Sequence, residues 1–346
     1  MVQADPEYQE TKECVGPEPM TELDNETIER AVGAVAGSAV GDALGAGYEF
    51  SNPKPDQVIA MIGGGPFGWD PGEWTDDTQM ALAILDVIAT GDTDVQAIAA
   101  NFLAWYASGP PDIGSQTRSV LSGVDDSDDL AVAAVAYLDA NPEKIGNGGL
   151  MRTAPVALAA LHDRDEIARL AEAIASLSHA HPDSVAACVL WSLAIQQAIT
   201  TAQPDTPFDF EAAVRNGLDH VADDLQERWD RLIAEAVDGP PGKFNPNGWV
   251  VTAFQAALSA IVNTPVPDSE PSLHLHDALV AAVRIGNDTD TVAAIAGGLL
   301  GGRWGNAAIP DDWKTPVHGD RRWGTEKTEL VELEALARTA VIRSKA

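Results

Sequence analysis

Residues 27–45 read TIERAVGAVAGSAVGDALG. Gly33, Gly37, Gly41 and Gly45 recur every four residues, which places them along one face of a helix. A glycine inside a helix costs about 1 kcal/mol relative to alanine. Four in a stripe make sense if another helix or a ligand comes close to the backbone. Tight helix packing is the simpler reading. A membrane GxxxG face fits poorly, because Asp42 lies inside the stretch and Glu49 follows it.

Outward from this stretch the pattern stays helical. Ala-rich amphipathic windows recur at 78–90, 95–107, 129–139, 153–161, 165–177, 184–200, 211–236, 249–263, 274–284, 290–302 and 328–343. Alternating β-branched runs are almost absent. Breakers such as Gly63-Gly64-Gly65-Pro66 and Gly239-Pro240-Pro241-Gly242 separate the windows. There is no fixed-period repeat and no long Ser/Gly linker. The pattern predicts an all-α fold: a single compact multi-helix domain over residues 23–346. Residues 1–22, acidic and Pro-containing, read as a mobile tail.

Composition narrows the function classes. The 346 residues carry 53 Asp+Glu against 21 Lys+Arg, a formal charge of −32, with 45% apolar residues. A sizeable core is expected and global disorder is excluded. Phosphate backbones would be repelled, so no nucleic-acid partner is expected. The N-terminus lacks the basic region and apolar run of a signal peptide, and no long bulky apolar stretch suggests a membrane partner. A cytoplasmic, monomeric protein is the expectation. Cys14 and Cys188 cannot form a disulfide framework or a Cys-rich zinc site. An anionic ligand would need cations, helix N-termini or backbone N–H groups to hold it against this field.

Two segments carry the strongest chemistry. GEWTDDTQ (72–79) and GNDTDT (286–291) each follow a glycine, pack two carboxylates beside Thr hydroxyls, and lead into an Ala-rich helix. Either alone could be an over-endowed N-cap, since a cap needs one Asp or Thr. Two such clusters, 212 residues apart between Asp76 and Asp288, look like halves of one site. Carboxylate and hydroxyl oxygens suit hard divalent cations rather than zinc. In the usual two-metal geometry such ions sit roughly 3.5–4 Å apart.

Several motifs then resemble one family, the ADP-ribosylglycohydrolases. They are GAVAGSAVGDALGAGYEF (33–50), GEWTDDTQM (72–80), PPDIGSQTR (110–118), GNGGLMR (146–152), SHAHPDS (178–184) and GNDTDTVAAIAGGLLG (286–301). The resemblance implies an all-α fold around two Mg²⁺ or Mn²⁺ ions, and hydrolysis of the glycosidic bond between ADP-ribose and a modified side chain or small acceptor. The substrate would be an ADP-ribosylated protein or an ADP-ribose derivative. It implies Thr75, Asp76, Asp77, Asp288, Asp290 and Thr291 as metal ligands. Glu49, Asp77 and Asp112 are implied as catalytic. Gly114, Gly146, Asn147, Gly148, Gly149 and His179 are implied as substrate-binding.

Taken without the family, the same positions read more plainly. Glu49 would be a surface acid, Asp112 and the Gly146–Gly149 run turn residues, and His179 a loop histidine. Trp191, Trp249 and Trp304 would be packing residues. A non-catalytic binding member, or a two-metal hydrolase of another ADP-ribose-like glycoside, are the alternatives. The acidic tail and the segment after Trp304, including the basic-aromatic Arg321–Gly324, match no motif. Nothing in the sequence selects the linkage cleaved.

Overall fold

In the computed structural model, α1 (Asn25–Ala46) and α12 (Thr289–Trp304) form the central pair. The structure describes residues 23–203, 206–321 and 326–344; the 1–22 tail and Arg322–Gly324 of the basic-aromatic patch lie outside the described residues. The glycine stripe of α1 lies against α12 in antiparallel register. A Cβ on Gly37 would stand 2.5 Å from the Gly297 carbonyl oxygen, and one on Gly41 would stand 2.2 Å from that of Ala293. Gly297 and Gly301 answer from α12, where a Cβ would meet the Gly37 and Gly33 carbonyls at 2.0 and 1.9 Å. The stripe therefore serves helix packing, backbone against backbone. Its register also sets Gly45 beside Asp290, so the end of α1 meets the start of α12.

Helices from the whole chain surround this pair. They are α2 (Asp76–Ile88), α3 (Val95–Ala107), α4 (Ser115–Leu121), α5 (Leu130–Ala140), α6 (Arg164–Ser176), α7 (Pro182–Thr201), α8 (Phe210–Arg215), α9 (Asp223–Asp238), α10 (Val250–Val262), α11 (Leu273–Arg284), α13 (Asp311–Lys314) and α14 (Leu330–Arg343). One hydrophobic core runs through them. Trp74, Trp191 and Trp229 are fully buried within it. Trp191 donates to the Ile295 carbonyl of α12 at 2.9 Å, as its packing reading requires. By length and composition α7 alone among the described helices could cross a membrane; it is mostly buried in the domain.

One element was not legible in the sequence. Residues His318–Arg321 (β1) and Glu326–Glu329 (β2) pair antiparallel, His318 opposite Glu329. These four-residue strands are mostly polar and carry no β-branched alternation. Their anchor is remote: His318 N–H donates to Gly72 O at 3.0 Å, Trp74 N–H to His318 O at 2.9 Å, and Trp74 Nε1 to Asp320 O at 3.2 Å. The pair thus braces the segment that leads into α2.

Candidate metal centre

α2 begins where Thr75, in extended backbone, caps the helix and its hydroxyl accepts from Asp77 N–H at 3.4 Å. A second cap comes from α1. Asp42, fully buried, accepts from Thr75 N–H at 3.0 Å, Thr78 N–H at 3.0 Å and Thr78 Oγ1 at 2.6 Å. Asp42 thus orients the first turn that carries Asp76 and Asp77. The start of α12 is tied differently. Thr289 Oγ1 donates to Gly45 O at 2.8 Å, and the buried Asn247 accepts from Asp288 N–H at 3.0 Å while donating to Gly286 O at 3.1 Å. Asn147 Nδ2 donates to Asp288 Oδ2 at 2.8 Å.

Glu49 reaches the same place because its loop is zipped to the one before α12. Phe50 N–H donates to Asn287 O at 2.6 Å and Asn287 N–H to Ser51 O at 2.8 Å. Both Phe50 and Asn287 have positive φ, +55° and +67°; asparagine tolerates this readily, whereas a bulky Phe does so rarely.

The result is two carboxylate triplets that share one member. Oxygens of Asp42, Asp77 and Asp290 lie within 4.8 Å of one another, as do oxygens of Glu49, Asp112 and Asp290. Asp76 and Asp288 adjoin them on the wall of the cleft. None of these seven acids forms an ion pair among the described residues. Thr291 Oγ1 donates to Asp77 Oδ1 at 3.2 Å, yet Asp77 Oδ2, Asp290 Oδ1 and Glu49 Oε2 are buried with no hydrogen-bond partner. Two like charges 4 Å apart repel by about 4 kcal/mol at an effective dielectric of 20. Burial first, and the neighbouring acids second, raise Asp76, Asp77 and Asp290 well above the usual carboxylate range. The same causes push Glu49 up to about 9 and Asp112 up to about 7. Asp42 rises to about 6 through burial, against which its Thr hydrogen bonds work. Such a cluster must hold protons or cations. Oxygen-only donors and three unpartnered buried oxygens fit hard divalent cations.

The cleft above the cluster has a volume of about 370 Å³. Glu49, Asp76, Asp112, Gly114, Gly146, Asn147, Gly148, His179, Asp288, Asp290 and Thr291 line it, so most of the expected site residues converge. Glu49 and Asp112 are only 9% exposed, and Asp112 lies in no turn, which removes the surface reading of the first and the turn reading of the second. Thr75 and Asp77 do not line the cleft; they lie beneath it, 0% and 1% exposed. That suits Asp77 to holding a cation rather than meeting a substrate. Gly149 also lies outside the lining, packed on His179. Gly146 N–H is already engaged by Gln116 Oε1 at 2.9 Å, so Gly146 clamps the loop instead of offering a free donor.

Two readings change. Trp249, expected to pack, is 62% exposed and pairs by a β-bridge with Gly146 at the mouth of the cleft. Asp42 went unassigned. The signal was there: a carboxylate on a helix whose other residues around it are Ala, Val, Leu and Gly has no polar face to occupy. Asn247 and Gln116 gave no comparable signal, since their partners lie 39–41 and 30–62 residues away.

Comparison with known proteins identifies the family. The sequence profile described as ADP-ribosylglycohydrolase matches residues 23–344. ADP-ribosylarginine hydrolase Tri1 of Serratia proteamaculans is 28% identical over 319 residues, covering 89% of this chain and 79% of that protein. ADP-ribosyl-[dinitrogen reductase] glycohydrolase of Rhodospirillum rubrum is 31% identical, covering 82% of this chain and 89% of that protein. A solved structure titled ADP-ribosylglycohydrolase-related protein complex superimposes with a TM-score of 0.73 at 27% identity, over 92% of this chain and 99% of that one.

Proposed function

The chain belongs to the ADP-ribosylglycohydrolase family, and from that premise we propose that it reverses ADP-ribosylation by a hydrolysis dependent on two divalent cations, Mg²⁺ or Mn²⁺. The observation that carries this reading is the pair of carboxylate triplets joined at Asp290, with three buried oxygens left unpartnered. Asp42, Asp77 and Asp290 would hold one cation, and Glu49, Asp112 and Asp290 the other, with Asp76, Asp288 and Thr291 alongside. When bound, the cations supply positive charge that neutralises the cluster, orients ribose hydroxyls and acidifies a water.

The chain's own groups account for the rest. Glu49 and Asp112 line the cleft, and burial beside neighbouring acids raises their proton affinity, as it does that of Asp76 and Asp290. With cations neutralising the cluster and displacing its own proton, Glu49 Oε2, which has no partner, takes a proton from the attacking water. That water's oxygen bonds to the anomeric carbon as the bond from this carbon to the acceptor's nitrogen or oxygen breaks, and the proton passes from Glu49 to the leaving atom. Carboxylates beside the ribose stabilise the oxocarbenium character of the transition state. Asn147 and Gly148 lie where the rest of the ligand would extend, with Trp249 at the rim.

For the acceptor, an ADP-ribosylated arginine is the first candidate. A guanidinium carries positive charge into a cleft walled by acids, and the Serratia relative's name specifies that linkage. The test is incubation with Mg²⁺ or Mn²⁺ and peptides bearing ADP-ribose on Arg or on Ser. Release of ADP-ribose that a chelator abolishes is expected, faster from Arg. Ligand binding without release would instead support a non-catalytic member.

A further inference from the structure

Behind the cleft lies a buried chain of side chains that the reaction above does not use. Arg152 is 1% exposed, with its guanidinium 4.3 Å from the Phe102 ring centroid. Its Nη2 donates to Ser178 Oγ at 2.8 Å and to Ile174 O at 3.3 Å. Ser178 Oγ stands 2.9 Å from Nδ1 of His179. Both Ser178 and His179 are buried, at 0% and 1% exposed.

The proton positions follow from counting donors. Arginine offers only donors, so Ser178 Oγ accepts from Arg152. A hydroxyl has one proton to give, and among the described residues the only acceptor that partners Ser178 Oγ is His179 Nδ1. Had Nδ1 carried a proton, two donors would meet at Oγ and the buried hydroxyl proton would point at no acceptor among the described residues. The imidazolium is excluded as well, because burial and the Arg152 charge hold the His179 pKa down at about 3. His179 is therefore neutral, with its proton on Nε2.

That nitrogen belongs to a residue of the cleft wall. The surroundings keep it there. Gln116 Nε2 donates to Ser178 O at 3.1 Å while Gln116 Oε1 accepts from Gly146 N–H at 2.9 Å, locking the 146–149 loop to the carbonyl just before the histidine. A Cβ on Gly148 would come within 3.1 Å of His179 Cε1 and one on Gly149 within 3.3 Å of His179 Cβ, so these glycines let the loop lie on the ring.

We propose that Arg152 and Ser178 are positioning residues that lock His179 in the Nε2–H tautomer, so that it presents a neutral N–H donor to an acceptor oxygen of the substrate. The substrate half rests on the functional reading above; the tautomer half does not. The arrangement answers a specific difficulty of this site. A cleft walled by acids needs donors for the ligand, but a Lys or imidazolium there would pair with the carboxylates and compete with the cations. A polarised neutral imidazole donates without that competition.

The test is nitrogen NMR of the ¹⁵N-labelled full chain, with His179 assigned by the signals missing in His179→Gln. Wild type without ligand is expected to show Nε2 protonated and Nδ1 as an acceptor from about pH 5 to about pH 8. Added ADP-ribose with Mg²⁺ should move the Nε2 signal. Ser178→Ala removes the hydroxyl, with helical circular dichroism checking that the fold is kept. It should shift the Nδ1 signal, mix the tautomers and weaken ADP-ribose about tenfold. His179→Gln, whose amide can place an N–H near Nε2, should retain more affinity than His179→Ala. An Nδ1–H tautomer in wild type overturns the proposal, as does a Ser178→Ala chain with unchanged nitrogen shifts and unchanged affinity. A wild-type chain with Nε2 protonated that ignores ADP-ribose supports the lock and overturns the functional reading instead.

Discussion

Along the seam between α1 and α12, glycines set backbone against backbone and leave no room for a methyl group. At one end of the same seam, Asp42 from α1 and Asp290 from α12 meet in a cluster of acids with buried, unpartnered oxygens. The seam is satisfied by the chain itself. The cluster is satisfied only by something the chain does not contain. The difference teaches where stability and function are kept: the register that packs the helices also imposes the carboxylate crowding that protons or cations must relieve.

The largest expected effect comes from breaking the seam. Gly41→Ala would drive a Cβ to 2.2 Å from the Ala293 carbonyl, and overpacking of this kind costs about 3 kcal/mol or more. Calorimetry should show Tm lower by roughly 5 °C or more, and cation binding should suffer with it because the register sets Asp290. Breaking the cluster should do the reverse. Asp77→Asn and Asp290→Asn each remove a buried charge, so the cation-free chain should keep its helical circular dichroism and an equal or higher Tm. Turnover should nevertheless fall by at least about 100-fold with loss of cation affinity. Full activity in either variant would reject the two-half site.

A pH series sharpens the contrast. Glu49 and Asp112 bind protons more tightly folded than unfolded, with values raised to about 9 and about 7. Their contribution to stability is therefore full below about pH 4 and is lost as pH rises through about 7 and then about 9. The cation-free chain should be more stable to urea at about pH 5 than at about pH 8. Saturating Mn²⁺ should reverse that order, since a cation at 100 times its Kd adds about 2.7 kcal/mol and binds deprotonated ligands best. The smallest effect is expected at the rim. Trp249→Ala should raise KM about fivefold with kcat nearly unchanged, the size of one aromatic stacking contact, about 1 kcal/mol.

Much of this is legible in the sequence. The four-residue glycine period predicted the seam, and the paired Thr-Asp segments predicted that chain positions 212 residues apart would meet. What stayed hidden depends on distant partners. Asp42 looked like a stray charge until Thr75 and Thr78 supplied its donors. Asn247 and Gln116 carry no residue-type signature for what they clamp. The β1–β2 pair is held by Gly72 and Trp74 rather than by its own composition. Trp249 departs from the packing expected of an aromatic residue, and only the loop geometry shows that it stands in solvent.

The central claim is that two carboxylate triplets share Asp290 and together take two cations. Calorimetric titration of the cation-free chain with Mn²⁺ tests it most directly, in wild type, Asp112→Asn and Asp290→Asn. Two ions per wild-type chain, one after Asp112→Asn, and neither bound tightly after Asp290→Asn is the result this geometry requires. A wild-type chain that takes up no Mn²⁺, or an Asp290→Asn chain that still holds both ions, would contradict it.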